Sequence, residues 1–267
     1  MKIARINNRP YQMLDAHTGA PIANFTTVLA AQAAGEAAWQ LGPAQAVAAS
    51  DLQAPIPTPG QVFAIGMNYA DHSKEIHLAL PKTPSIFTKF PSAIANPTAA
   101  VQLHGPRTDW ETELVVVIGV GGRNIQAADA AKHIAGYMVG EDLSDRDVQF
   151  ANDPGQFSLG KSFANFAPVG PWLTTADEIT DRDALMITTT VNGEVMQHAP
   201  LAQMIFTPED LVAYLSSIVA LRQGDLLFTG TPMGTGVGHE PAIYLHAGDT
   251  VQGQIDGLGA LALTVYD

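Results

Sequence analysis

Apolar residues along this chain fall in short runs bounded by glycine, proline or small polar residues. The runs VFAIG, SIFTKF, ELVVVIG, LMITTTVNG, DLLFTGT, TVQGQI and ALALTVYD are rich in β-branched and aromatic side chains, which suit a pleated, half-buried surface. Helical signals are fewer. Residues 127–134 follow one strand, and residues 208–220 are better marked, with Thr207 at the N-cap, Pro208 at the first position and Glu209 and Asp210 in the first turn. The opening KIARINN alternates like a strand and leads into AAQAAGEAAWQLGPAQAVAAS, which predicts one or two short helices. Pro55, Pro57 and Pro59 then alternate through APIPTPG, which excludes a helix or central strand and predicts an extended linker. No internal repeat is visible. The pattern lacks the strict strand–helix alternation of a doubly wound fold, so it predicts an α+β, mainly β, protein. Residues 1–54 form a small N-terminal α/β cap region and residues 55–267 the main domain.

Composition narrows the function classes. The chain has 267 residues, 46% hydrophobic and 15% charged, which is globular and long enough for a large core. Lys and Arg number 13 against 26 Asp and Glu, a formal charge of −13. That excess argues against nucleic-acid and membrane partners, whose phosphates require Lys and Arg, but leaves room for a small anion. Cysteine is absent, which removes disulfides, thiolate nucleophiles, Cys-bound zinc and iron–sulfur clusters. Any metal site must use oxygen or imidazole. The opening residues hold no apolar signal-like run, and the apolar stretch 114–118 is far short of the ~20 residues a membrane span needs. The expectation is a soluble cytoplasmic protein.

Candidate chemistry sits in three places. In DWETE, ahead of the run LVVVIG, Glu111 and Glu113 share one face if the segment is a strand. Two such carboxylates repel unless a cation sits between them, although a solvated strand face explains them equally well. The stretch GEDLSDRDVQ offers a further carboxylate to complete an oxygen-only site for a hard cation, Mg²⁺, Mn²⁺ or Ca²⁺, with Arg146 and Gln149 beyond it to hold a substrate carboxylate. Alone, it reads equally as a surface turn. In GMNYADHSKE, His72 and Glu75 lie three apart and meet on a helix. A carboxylate on an imidazole raises its basicity enough to deprotonate water, but a surface ion pair is the commoner meaning. The other histidines lack such context. The glycine-rich stretches 119–122 and 230–238 fit neither the dinucleotide fingerprint nor a phosphate loop, and no G-x-S-x-G elbow exists.

Taken in order, GMNYADHSKE, IFTKFPSAI, DWETELVVVIG, AGYMVGEDLSDRDVQ, LGKSFANFAPVGPW, VNGEVMQ and GDLLFTGTPMGTGVG resemble the fumarylacetoacetate hydrolase family over roughly residues 59–265. The resemblance implies that family's mixed β-roll, a catalytic domain over 55–267 and a homodimer. It makes Glu111, Glu113 and Asp142 the metal ligands for Mg²⁺ or Mn²⁺, with Ca²⁺ as an alternative. It makes His72 and Glu75 the water-activating dyad, and Lys161 the cation near the developing enolate. Lys89, Arg146, Gln149 and Thr231 match substrate contacts. The chain departs from the family at Glu141, where Asn is usual, which places a fourth carboxylate beside the metal. It also departs at Ala164–Asn165, where Asp-Thr is frequent, and at Ile65, where larger members carry another ligand.

The activity expected is metal-dependent hydrolysis of a C–C bond in a β-diketone acid such as an acylpyruvate or fumarylpyruvate. Decarboxylation, tautomerisation, isomerisation and lyase steps on a 2-oxo acid share the same enolate. Retention of both His72 and Glu75 favours hydrolysis, since isomerisation needs no activated water. A non-catalytic metal-dependent binding protein is the reading from another class, and the dyad plus Lys161 argues against it.

Overall fold

A computed structural model describes residues 1–71 and 81–267. Its centre is the strand Thr112–Ile118, buried along its whole length. Alternate side chains feed different cores: Leu114, Val116 and Ile118 enter one cluster, Val115 and Val117 another. A strand buried on both faces reads as a continuous apolar run, which is why LVVVI shows no alternation.

This strand lies in a mixed, twelve-stranded sheet. On one side it pairs antiparallel with Ile134–Glu141, then Ala167–Thr175, then Lys2–Ile6. On the other it pairs with Leu226–Phe228, which runs parallel to Val62–Gly66, followed by Ser85–Thr88. A five-stranded sheet orders Glu194–Pro200, Met186–Val191, Thr250–Ile255, Gly259–Tyr266 and Ala100–Gln102, the last pair parallel. A two-stranded ladder joins Thr108–Asp109 to Ser144–Asp145. The architecture is the mainly β, mixed-sheet roll expected.

The first 54 residues extend the large sheet instead of forming one of their own. Lys2 and Ile3 pair with Thr174 and Leu173, and Ile6, Tyr11, Met13 and Leu52 pack on Trp172. The segment 54–60 contains no helix or strand. The helix at Thr207 forms as expected, over Pro208–Ile218, with the Thr207 hydroxyl and Asp210 carboxylate capping each other's main chain.

One expectation is corrected, and one strand lies outside the apolar runs read from the sequence. The helical signal at 127–134 yields only a single turn, Ala127–Ala130, and a 3₁₀ turn, Ala131–His133, before Ile134 pairs with Ile118 and strand begins. The strand Ala167–Thr175 went unread because it holds two prolines, which cannot donate to a ladder. Pro171 sits where the pairing with Ile134–Glu141 shifts register, between Tyr137 and Val139, so the missing N–H falls at an irregularity.

Candidate metal centre and active site

Pairing of Thr112 with Glu141 and Glu113 with Gly140 sets the beginning of the central strand beside the end of its neighbour. Asp142, one residue past that end, donates its N–H to the Glu111 carbonyl at 2.8 Å. Ligand oxygens of Glu111, Glu113 and Asp142 therefore lie within 4.8 Å of one another, all three residues buried. Glu113 is held further by the Gly230 N–H at 2.7 Å. Gly230 has φ +95°, and a Cβ there would come within 2.8 Å of the Asn68 Cβ, so only glycine brings this N–H to the carboxylate.

Among the described residues, three buried cations surround the triad. Lys161 Nζ stands 2.8 Å from Glu111 Oε2, 2.8 Å from Asp142 Oδ2 and 2.7 Å from Ser144 Oγ, with its charge 5.3 Å over the Phe87 ring. Lys89 Nζ donates to Asp142 Oδ1 at 2.5 Å and to the Lys161 carbonyl. Arg146 forks onto Asp109 Oδ2 through Nε at 2.9 Å and Nη2 at 2.7 Å, reaches Glu111 Oε1 at 2.7 Å, and donates through Nη1 to Gln149 Oε1 at 2.7 Å. Asp109 in turn accepts the N–H groups of Gly236 and Val237, tying the glycine-rich loop to the arginine.

Burial dominates the electrostatics. It pushes the Glu113 carboxyl well above its ordinary value, and the neighbouring charges of Asp142 and Glu111 push the same way. Burial works against the Lys161 charge, but Asp142 and Glu111 outweigh it and raise its pKa, so it stays an ammonium. For Lys89 burial wins, and its pKa falls. Burial, followed by the charge of Glu113, raises the Tyr69 phenol and keeps it a neutral hydroxyl.

The donor set fits a divalent cation. It is all oxygen and hard, with the carboxyl groups of Glu111, Glu113 and Asp142 converging on one point. Glu141 does not join the triad. Its Oε1 accepts the Glu111 N–H at 2.6 Å and its Oε2 the Thr112 hydroxyl at 2.8 Å, so the carboxylate expected beside the metal serves the main chain behind it.

The structure thus brings together Glu111, Glu113, Asp142, Lys161, Lys89, Arg146 and Gln149. Thr231 lies next to them, but its hydroxyl donates to the Thr112 carbonyl at 2.8 Å and accepts from Gln197 at 2.8 Å. His72 and Glu75 lie outside the described residues. Sequence reasoning passed over Asp109, Ser144, Tyr69, Phe87 and Gln197, although all five stand inside segments that carry the candidate chemistry or the family resemblance.

A profile of the fumarylacetoacetate (FAA) hydrolase C-terminal family matches residues 61–266. The chain belongs to this family. It is 45% identical over 210 residues to the oxaloacetate tautomerase FAHD2A of Bos taurus, covering 78% of this chain and 67% of that one. Its fold superposes with TM-score 0.92 and 39% identity on the crystal structure of a putative HpcE protein from Mycobacterium smegmatis, covering 100% of this chain and 99% of that one. A maleylpyruvate hydrolase from Sphingobium sp. SYK-6, in complex with manganese(II) and pyruvate, matches with TM-score 0.81 and 26% identity over 100% of this chain and 99% of that one. The protein is accordingly an enzyme of the fumarylacetoacetate hydrolase superfamily, with a carboxylate triad suited to a divalent metal.

The expectation of a cytoplasmic protein is corrected. The bovine relative is named as mitochondrial, so the family does not support a cytoplasmic default. Among the described residues no helix is long and apolar enough to cross a membrane.

Proposed function

We propose that this enzyme interconverts the keto and enol forms of a short 2-oxo dicarboxylic acid of the oxaloacetate type, with Mg²⁺ or Mn²⁺ held by Glu111, Glu113 and Asp142. The observation that carries this reading is the position of Lys161. Its ammonium is within 2.8 Å of two of the three carboxylates and is kept charged by them. Bound at the triad, the metal supplies a Lewis acid that polarises the 2-oxo group.

The chain's own residues do the rest. Lys161 offers an N–H to the carbonyl oxygen as its negative charge grows, in a buried setting where such a donor is effective. Gln149 commits its carbonyl oxygen to Arg146, so its amide nitrogen is the atom it has to offer a substrate carboxylate. In the keto-to-enol direction a proton leaves the carbon next to the 2-oxo group, its C–H electron pair becomes the C=C bond, and the oxygen takes a proton. Nothing else is consumed. In this reading proton transfer at carbon falls to His72 with Glu75, the pair that the family resemblance makes the water-activating dyad. The bovine relative's name, an oxaloacetate tautomerase, supports the same reaction.

A second reading is hydrolysis of a β-diketone acid, favoured by the His72–Glu75 pair and by likeness to the maleylpyruvate hydrolase. One experiment separates the two. Metal-stripped protein, with and without Mg²⁺ or Mn²⁺, is given oxaloacetate and, separately, acylpyruvates. Metal-dependent relaxation of the oxaloacetate enol absorbance without CO₂ or new acids supports the tautomerase. Cleavage of acylpyruvates to two acids, with no effect on that relaxation, replaces it with the hydrolase, and CO₂ release replaces it with a decarboxylase.

A further inference from the structure

Gln197 lies on the strand Glu194–Pro200 of the five-stranded sheet and is 1% exposed. Every hydrogen-bonding position of its amide is used. Nε2 donates to Thr231 Oγ1 and to the Pro232 carbonyl, both at 2.8 Å. Oε1 accepts from the Thr112 N–H at 3.3 Å and from Thr189 Oγ1 at 2.6 Å.

Three of these four bonds converge on Thr112, the residue between Glu111 and Glu113. Gln197 takes the Thr112 N–H directly. Through the Thr231 hydroxyl, at 2.8 Å from the Thr112 oxygen, it also reaches the Thr112 carbonyl. The Thr189 hydroxyl is 2.6 Å from Gln197 Oε1 and 2.6 Å from Thr112 Oγ1, so it supports either partner. Thr112 Oγ1 then donates to Glu141, whose other oxygen holds the Glu111 N–H. The two peptide units that set the directions of Glu111 and Glu113 are thus gripped by side chains of the second sheet and of the glycine-rich loop.

We propose that Gln197 is a positioning residue for the metal centre: it fixes the Thr112 main chain so that the flanking carboxylates converge on one cation. Thr189 and Thr231 act with it as intermediaries. The inference rests on reading Glu111, Glu113 and Asp142 as metal ligands, not on which reaction follows. Groups that orient ligands from behind change metal affinity by about 10–100-fold when removed.

The test is Mn²⁺ binding followed by electron paramagnetic resonance on the full, metal-stripped chain, with no substrate present. Gln197→Met keeps the length of the side chain and removes its hydrogen bonds. It is expected to weaken Mn²⁺ binding by about ten-fold or more. Thr189→Val is expected to weaken it less and in the same direction, with Thr189→Ser restoring wild-type affinity. A purely structural amide predicts another pattern: a lower Tm, with Mn²⁺ affinity of the folded protein unchanged. That pattern in Gln197→Met, or in Thr189→Val should Gln197→Met not fold, overturns the proposal. Wild-type protein that binds Mn²⁺ but converts no oxo acid removes the proposed reaction and leaves Gln197's role standing. Wild-type protein that binds no Mn²⁺ removes both.

Discussion

From Leu114 to Ile118 the central strand fills two apolar cores, while the three residues before Leu114, also buried, bring two carboxyl groups to a third. At the apolar end burial itself stabilises, by about 1.5–3 kcal/mol for each large side chain removed from water. At the acidic end burial opposes charge, and each ion taken from water costs several kcal/mol before its partners offset it. Lys161, Lys89 and Arg146 supply part of that offset, and a divalent cation would supply more. One strand therefore joins a region that makes the fold stable to a region that the stable fold holds in a costly arrangement. The difference teaches that stability and function are separable along it.

The strongest break is expected from His72→Ala, which should lower turnover by about 10²–10⁴-fold while Mn²⁺ still binds. Steady-state rates beside a Mn²⁺ titration check this, and unchanged turnover would remove His72 from the chemistry. Lys161→Met should lower kcat by about 10²–10³-fold, the usual cost of losing one donor to a developing oxyanion.

Next comes a crossed pair that sharpens the contrast between the two ends. Ile118→Ala, 1% exposed in the apolar core, should cost about 2–5 kcal/mol of stability and leave Mn²⁺ affinity of the folded protein intact. Glu113→Gln should do the reverse, abolishing tight Mn²⁺ binding while the metal-free protein melts no lower than wild type, because burial already disfavours a charge at this position and the neutral amide carries none. Chemical denaturation and Mn²⁺ titration of both variants decide the matter. Parallel losses in both would show that the two ends are not separable.

The smallest effect expected is a pH dependence. Burial lifts the Glu141 carboxyl from 4.5 to about 8, and Glu113 is raised also. A carboxyl whose pKa is higher folded than unfolded binds more protons in the native state. Its contribution to stability is present below the unfolded value and is lost as pH rises through the folded one. The Tm of metal-free protein should therefore fall between 4.5 and about 8. Mn²⁺ should bind more tightly across the same interval and release protons, since ligation requires ionised Glu113. A Tm that climbs over that range in metal-free protein contradicts the raised carboxyls.

Much of the metal site was legible because its chemistry is local. Glu111 and Glu113 sit two apart at the mouth of an apolar run, and Asp142 follows the strand that pairs with it. Glu141 was misplaced for the same reason. Adjacency to Asp142 suggests a shared cation, but successive residues leaving a strand point different ways, and its carboxylate found main-chain donors instead. Gln197 shows the limit from the other side. In VNGEVMQ it is one polar residue among several on a half-exposed strand, and nothing nearby marks it as the one whose amide is fully used. Pro168 and Pro171 hid a fully buried strand: Pro168 falls at its beginning and Pro171 where the register shifts, so neither missing donor breaks it.

By itself the sequence determined the strand-rich class, a donor set without sulfur and the family, because runs, spacings and the absence of cysteine can be read along the chain. Only the tertiary structure decided that the first 54 residues widen the main sheet. It also decided that Thr231 faces Gln197 and Thr112, and that a second sheet grips the metal-bearing strand from behind. Those contacts join residues far apart in the chain, Thr112 to Gln197 and Glu111 to Lys161, and they follow from which strands pair and in what register. No local pattern records that choice, because the free energy that makes it comes from burying the cores on both faces of the central sheet together.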